Sequence, residues 1–186
     1  MGNRLPCTAN GSNQGAGTVN TTLSSWVRRA GGSLLFLGYI PFMPGTLGAA
    51  ATTGAVWYLH LHYPGMFSLA MAPYFWLLFL GLCTVSFWLG RDAERVFGRD
   101  DPPRFIFDEV VGQFLTYFMI PLSWRTLLLG FLLFRFFDIV KPFPVHRMEE
   151  MEGGVGITMD DVAAGACANL TMVGILALYH MIQGYL

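Results

Sequence analysis

The residues of this sequence best suited to chemistry are five carboxylates and two cationic side chains at the ends of apolar segments. Two pairs of adjacent acids each open an apolar run, and an Arg-x-x-Asp-x-x-Lys series closes another. Mg²⁺ is commonly held by one or two carboxylates together with phosphate oxygens. Arginine and lysine bind phosphate, so the set predicts metal-assisted chemistry on a phosphate group. The seven residues are Asp108, Glu109, Arg135, Asp138, Lys141, Asp160 and Asp161.

Two glycine-containing segments add groups that could hold an anion. Pro44-Gly45-Thr46-Leu47-Gly48 precedes one apolar run, and the turn-like Gly153-Gly154-Val155-Gly156 precedes the last. Backbone N–H groups at helix starts bind anions. Gly112 and Gly165, each four residues after an acid, would let helices approach closely around the site. The predicted substrate-binding residues are Gly45, Thr46, Arg135, Lys141, Gly154 and Gly156.

The composition indicates which elements must position these groups. Hydrophobic residues make up 54% of the 186 residues and charged residues only 12%, and both values depart from the soluble average toward membrane proteins. The net charge of -1 gives no basis for binding nucleic acid. We therefore expect an all-α, polytopic membrane helical bundle, residues 26–186, after a disordered polar tail, residues 1–25.

Five apolar runs are candidates for transmembrane helices. Residues 33–43 are apolar but too short to span, which predicts a re-entrant or interfacial N-terminal piece. Pro73 is expected to kink the second span. The predicted spans are residues 47–63, 66–90, 105–122, 126–140 and 159–182.

The distribution of lysine and arginine predicts the orientation of these spans. Basic residues concentrate in the connections 91–104 and 141–157, whereas the opposite connections hold one between them. The positive-inside rule then places both basic connections in the cytoplasm. Four clusters of unusual residues fall on that same face at similar depth, and this convergence favours a shared site. They are Pro44 to Gly48, Asp108 with Glu109, Arg135 with Asp138 and Lys141, and Asp160 with Asp161.

Three of the four clusters also have a purely structural explanation, whereas Asp108 and Glu109 inside an apolar run are harder to explain in that way. Arg135 and Asp138 could be only an i, i+3 ion pair within one helix. The adjacent acids Asp160 and Asp161 could complement a helix dipole, and Pro44-Gly45 could be a simple turn. His146 is a further candidate, for proton transfer. The sequence lacks the nucleotide-binding P-loop motif and the nucleophile motifs of cysteine and haloacid-dehalogenase phosphatases.

At these same residues the sequence resembles the phosphatidylglycerophosphatase A family. Four blocks occur in family order: Pro44 to Gly48, Asp108 to Gly112, Arg135 to Pro144 and Gly153 to Asp161. The resemblance covers about residues 35–175 and departs from the family where Ala49 and Thr158 stand. It implies a Mg²⁺-dependent enzyme of the bacterial cytoplasmic membrane. Such an enzyme removes the terminal phosphate of phosphatidylglycerophosphate to give phosphatidylglycerol and inorganic phosphate.

The predicted metal ligands are Glu109, Asp160 and Asp161, followed by Asp108 and Asp138. Two other classes of protein stay open on the sequence. One is another lipid-headgroup phosphotransfer enzyme, although the spaced motif of CDP-alcohol phosphotransferases is missing. The other is a divalent-cation transporter or channel, although its acids would be expected near the bilayer midplane rather than at one end. The oligomeric state is not predicted.

Overall fold

The computed structural model describes residues 20–40, 43–91, 105–143, 145, 148 and 153–184. All regular secondary structure in these ranges is helical, which confirms the predicted all-α class. Two short 3-10 helices, Leu37–Tyr39 and Leu69–Met71, join longer elements. The longer helices are α1 (Asn20–Gly32), α2 (Pro44–His62), α3 (Ala72–Gly90), α4 (Phe107–Thr116), α5 (Trp124–Val140) and α6 (Gly153–Gly184).

Two segments are long and apolar enough to cross a membrane. These are Leu69–Gly90, which contains α3, and Val155–Gln183 within α6. Only 22% of each apolar window is buried inside the protein, whereas the core helix of a soluble protein hides most of its apolar surface. The exposed surface is the kind that lipid covers, and this coarser membrane assignment is the part of the prediction that the structure supports.

The other predicted spans are shorter or more polar helices. Helix α2 has 19 residues, including three threonines and two histidines, and α5 has 17. Helix α4 has only 10, about 15 Å at 1.5 Å per residue, which is half of a hydrocarbon core. The prediction of one continuous helix over residues 105–122 is therefore wrong, and the count of about five spans stays a prediction.

Side chains from other helices allow α4 to end inside the bundle. The Asn169 amide donates hydrogen bonds to the carbonyl oxygens of Thr116 and Phe118, at 3.0 and 2.7 Å. Tyr117, which is fully buried, donates its hydroxyl to the carbonyl oxygen of Leu127 at 2.8 Å. Backbone groups at the end of a helix must find partners where water is excluded. The two bonds from Asn169 supply such partners, so the chain can turn there, and the Tyr117 bond ties the turn to α5.

Two further predictions differ from the structure in detail. Pro73 lies in the first turn of α3, where proline is tolerated, so it does not kink the helix. The residues predicted as a glycine-rich turn, Gly153 to Gly156, are instead the first turn of α6. Residues 33–40 form turns and a 3-10 helix. Helix α1 begins at Asn20, within the predicted tail, and residues 1–19 lie outside the described residues.

Helix α4 lies at the centre of the bundle, and its largest contact is with α6. The two backbones meet at Gly112 and Gly165, because a Cβ on either glycine would overlap the backbone of the opposite helix. On the other side of α4, Phe114 stacks on Phe75 of α3 with ring centroids 4.6 Å apart. The predicted close approach at the two glycines is therefore present, and it brings the acids of α4 and α6 together.

Candidate active site

Glu109, in the first turn of α4, is the acid on which three helices converge. Its carboxylate Oε2 lies 3.6 Å from Arg135 Nη1 of α5. On the α2 side, a Cβ on Gly45 would overlap the Glu109 carboxylate, and a Cβ on Gly48 would lie 3.1 Å from Glu109 Oε2. The glycines of α2 thus make room for this side chain, whereas the sequence predicted Gly45 as a phosphate contact.

Arg135 is shared between two acids of different helices. Besides Glu109, it contacts Asp138 one turn further along α5, with 2.7 Å between Nη1 and Oδ2. Both side chains of this i, i+3 pair are about one-sixth exposed, so solvent reaches them only partly. The pair predicted from the spacing is present, but it does not stand alone, because Arg135 also reaches α4.

Lys141 joins the end of α5 to α6. Its ammonium Nζ lies 2.9 Å from Asp160 Oδ2. The backbone of Lys141 is left-handed, with φ 44° and ψ 63°, at the helix C-cap. Glycine is usual where a helix ends in this conformation, and a side chain costs about 1–2 kcal/mol there. A lysine at such a position indicates a use for its side chain.

The remaining acids complete a buried negative cluster. Asp108 and Asp161 are 7% and 3% exposed. Asp161 is close enough to Asp108, Glu109, Asp138 and Asp160 for their negative charges to repel its own. Helix α6 begins at Gly153, so Asp160 lies about two turns inside it. Because dipole effects fade beyond the first turn, the helix-dipole explanation of the two adjacent acids does not hold.

The donor set fits Mg²⁺ held together with a phosphate, rather than a preformed cage of protein ligands. Among the described residues, no three His, Cys, Asp or Glu side chains come together as a metal site. Yet three acids of the cluster pair with Arg135 or Lys141, and Glu109 Oε2 is buried with no hydrogen-bond partner in the described chain. Mg²⁺ needs only one or two carboxylates when phosphate and water complete its octahedron.

Two buried donors, one on Thr46 next to Gly45 in the chain and one on Arg135, suit the phosphate itself. The hydroxyl oxygen of Thr46 and the Nε of Arg135 are both buried, without a hydrogen-bond partner in the part of the chain described. A buried polar atom without a partner costs about 1–3 kcal/mol, and a bound phosphate oxygen would satisfy each donor. Gly156 is buried in the first turn of α6; the surroundings of Gly154, and His146 altogether, lie outside the described residues.

One contact that positions the cluster was not predicted from the sequence. Ser86 of α3 and Thr158 of α6 share a buried hydrogen bond of 2.7 Å. Thr158 precedes Asp160 by two residues, so the bond holds the acidic turn of α6 against α3. The sequence signal was weak, because Ser86 is one of several hydroxyl residues in the apolar run 66–90. From the sequence, Thr158 was noted only as a position that departs from the family pattern and was given no role.

The chain was compared with known protein families and with curated proteins. A family profile described as phosphatidylglycerophosphatase A matches residues 31–176, a range that contains every site residue described above. Proteins named phosphatidylglycerophosphatase A from Haemophilus influenzae and Escherichia coli are 40% and 31% identical, over 102 and 130 residues. These alignments cover 53% and 69% of this chain, and 63% and 71% of the relatives.

A third relative carries a different name. A protein of Bacteroides thetaiotaomicron, provisionally named phosphatidylinositol-3-phosphatase, is 37% identical over 134 residues, or 69% of this chain and 80% of the relative. No solved structure matches the chain. The family profile covers most of the sequence and the relatives are named as lipid phosphatases. The chain therefore belongs to the phosphatidylglycerophosphatase A family and is a phosphatase of the hydrolase class.

Proposed function

We propose that this protein hydrolyses the terminal phosphate of phosphatidylglycerophosphate, giving phosphatidylglycerol and inorganic phosphate, and that it requires Mg²⁺. The family and the names of two relatives support the substrate. The observation that carries the proposal is the meeting of Glu109, Arg135, Asp138, Lys141 and Asp160 in one cluster. Acids outnumber cations there, as expected of a site completed by a metal ion and a phosphate.

The cationic residues would bind and orient the phosphate. Arg135 offers a planar fork that matches two phosphate oxygens, and Lys141 offers a point charge. Both are paired with carboxylates, at 2.7 and 2.9 Å, so an arriving phosphate must take over part of each pairing. The Thr46 hydroxyl would donate a hydrogen bond to a third oxygen.

The acids would hold the metal. Glu109, Asp160 and Asp161 are the first candidates, with Asp108 and Asp138 next. When bound, Mg²⁺ would neutralise the phosphate and stabilise the charge that develops during hydrolysis. The carboxylates also keep Arg135 and Lys141 in place before the substrate arrives, so part of the geometry needed for reaction is preorganised.

The reaction is tested by measuring phosphate release from purified protein with phosphatidylglycerophosphate in detergent micelles, with Mg²⁺ and then with EDTA. We expect release that requires Mg²⁺. Phosphatidylinositol 3-phosphate is assayed in parallel, because one relative is named for it. Faster turnover of that lipid would replace the proposed substrate. No release from folded protein with any divalent metal would reject the reaction and leave another lipid substrate or cation transport as the alternatives.

We further propose that the protein lies in the bacterial cytoplasmic membrane, crosses it several times and has its site facing the cytoplasm. The support is the concentration of basic residues in connections 91–104 and 141–157. In a variant without Cys7, Cys83 and Cys167, an impermeant thiol reagent applied from outside should label Leu186→Cys and not Gly98→Cys. The opposite pattern would invert the topology.

Replacing Gly45 by alanine should lower kcat by about a hundredfold while the protein stays folded. The new Cβ overlaps the Glu109 carboxylate, which sits at the end of a flexible side chain and can move aside. Displacing a reacting group by about 1 Å costs about a hundredfold in rate. Gly81→Ala in α3 is the matched control, because a Cβ there meets nothing within 4 Å. Equal kcat for the two variants would contradict the close packing of Gly45 on Glu109.

A further inference from the structure

An apolar groove of about 410 Å³ runs along the outside of the bundle between α2 and α5. Its α2 wall consists of small residues followed by Trp57, and its α5 wall consists of larger apolar residues. Gly54 leaves it open, because a Cβ on this residue would meet no atom within 4 Å. The residues that define the groove here are Ala50, Gly54, Trp57, Trp124, Leu128 and Phe131.

The groove leads to the candidate active site. Gly45, at the start of α2, and Arg135, near the end of α5, both lie next to Glu109. Helix α2 therefore begins at the site and α5 ends there. Ala50 lies one turn beyond Thr46 on α2, and Phe131 lies one turn before Arg135 on α5. One end of the groove therefore begins about one helical turn from the groups proposed to bind phosphate, and the other end lies at Trp57 and Trp124.

The chemistry of the groove suits a hydrocarbon chain. The hydroxyl of Thr53, in its wall, already donates to the carbonyl oxygen of Ala49 at 2.9 Å, and its oxygen lies 3.1 Å from the Tyr117 hydroxyl. It therefore offers no free polar atom to an occupant. From Ala50 to Trp57 the groove extends for about 10 Å along α2, at 1.5 Å per residue, which is long enough for part of one acyl chain.

We propose that this groove binds one acyl chain of the lipid whose phosphate lies at Arg135 and Lys141. The inference rests on the proposed function, because a phosphate monoester at the site brings its own diacyl tail. A chain descending from the site would enter the groove directly, since the two helices that line the groove also carry Thr46 and Arg135. The groove would then select long-chain lipids over water-soluble phosphate monoesters and fix the depth of the phosphate.

Filling the groove should separate chain binding from chemistry. Gly54→Phe places a ring in open space inside the groove, and Gly174→Phe in α6 is the matched control, because a Cβ there also meets nothing within 4 Å. For Gly54→Phe we expect the KM for a dioleoyl substrate to rise about tenfold more than the KM for a dibutyryl substrate, as for lost contacts in an apolar pocket. Equal changes for both substrates, or for both variants, would overturn the inference.

A second measurement tests the groove even if the protein hydrolyses neither substrate. That lack of hydrolysis would reject the proposed function but not the binding of an acyl chain in the groove. Protein in phosphatidylcholine vesicles is photolabelled with phosphatidic acid carrying a diazirine in one acyl chain. We expect label on α2 and α5 that unlabelled dioleoyl phosphatidic acid displaces and Gly54→Phe removes. Label spread over α3 and α6 alike, or absent from α2 and α5 because a second copy covers the groove, would overturn the inference.

Discussion

Replacing Glu109 by glutamine is expected to lower kcat by about a thousandfold with little loss of folded protein. The substitution keeps the shape of the side chain and removes one negative charge from the point where α2, α4 and α5 meet. The loss of one preorganised electrostatic contact in an enzyme site costs about 10²–10³-fold in rate. Glu109 is proposed both to hold Mg²⁺ and to orient Arg135, so we expect the upper end of that range.

The measurement is phosphate release with saturating substrate over a series of Mg²⁺ concentrations, together with a melting temperature in detergent. Arg135 keeps its contact with Asp138 in the variant, so we expect the bundle to stay assembled. If Glu109 holds the metal, the Mg²⁺ concentration for half-maximal rate should also rise. A folded Glu109→Gln protein with a wild-type rate and Mg²⁺ dependence would remove Glu109 from the site.

Replacing Gly165 by alanine is expected to lower the free energy of unfolding by about 3 kcal/mol, the upper end of the usual cost of overpacking. A Cβ at this position overlaps the backbone of Gly112, and a Cβ on Gly112 would likewise overlap the backbone of Asp161. Backbone atoms cannot rotate away as side chains can. The two helices must separate, and Asp161 must move away from Asp108 and Glu109.

Gly174→Ala is the matched control on the same helix, because its Cβ would meet nothing within 4 Å. Alanine is favoured over glycine in a helix interior by about 1 kcal/mol, so this variant should melt at or above the wild-type temperature. Activity should fall in Gly165→Ala and not in Gly174→Ala. Coincident melting curves for the two variants would show that α4 and α6 do not approach as closely as described.

The sequence by itself was sufficient to single out the charged residues that the fold brings together in the candidate site. Charged side chains are costly beside membrane-grade apolar runs, so Asp108, Glu109, Arg135 and the acids of α6 stand out without any structure. The helical class follows in the same way, since backbone groups in lipid must be paired within a helix. The two most apolar runs, which include α3 and α6, were also evident from composition.

Only the tertiary structure decided how those residues pair and where helices end. The length of α4 depends on Asn169, which lies more than fifty residues away and caps carbonyl groups near Thr116. Local patterns cannot carry such a contact, so the apolar run 105–122 resembled a full span. Gly153 to Gly156 likewise resembled a turn, although they begin a 32-residue helix.

The glycines also show what local sequence can predict and what only the tertiary structure determines. Spacing predicted close helix approach at Gly112 and Gly165, because each follows an acid by one turn. Gly45 was predicted as a backbone contact to phosphate or as part of a simple turn, and only the fold shows that its missing side chain also makes room for the Glu109 carboxylate. Residue type and local spacing determine which groups are costly to bury, whereas the fold alone determines which surfaces meet and what fills the space between them.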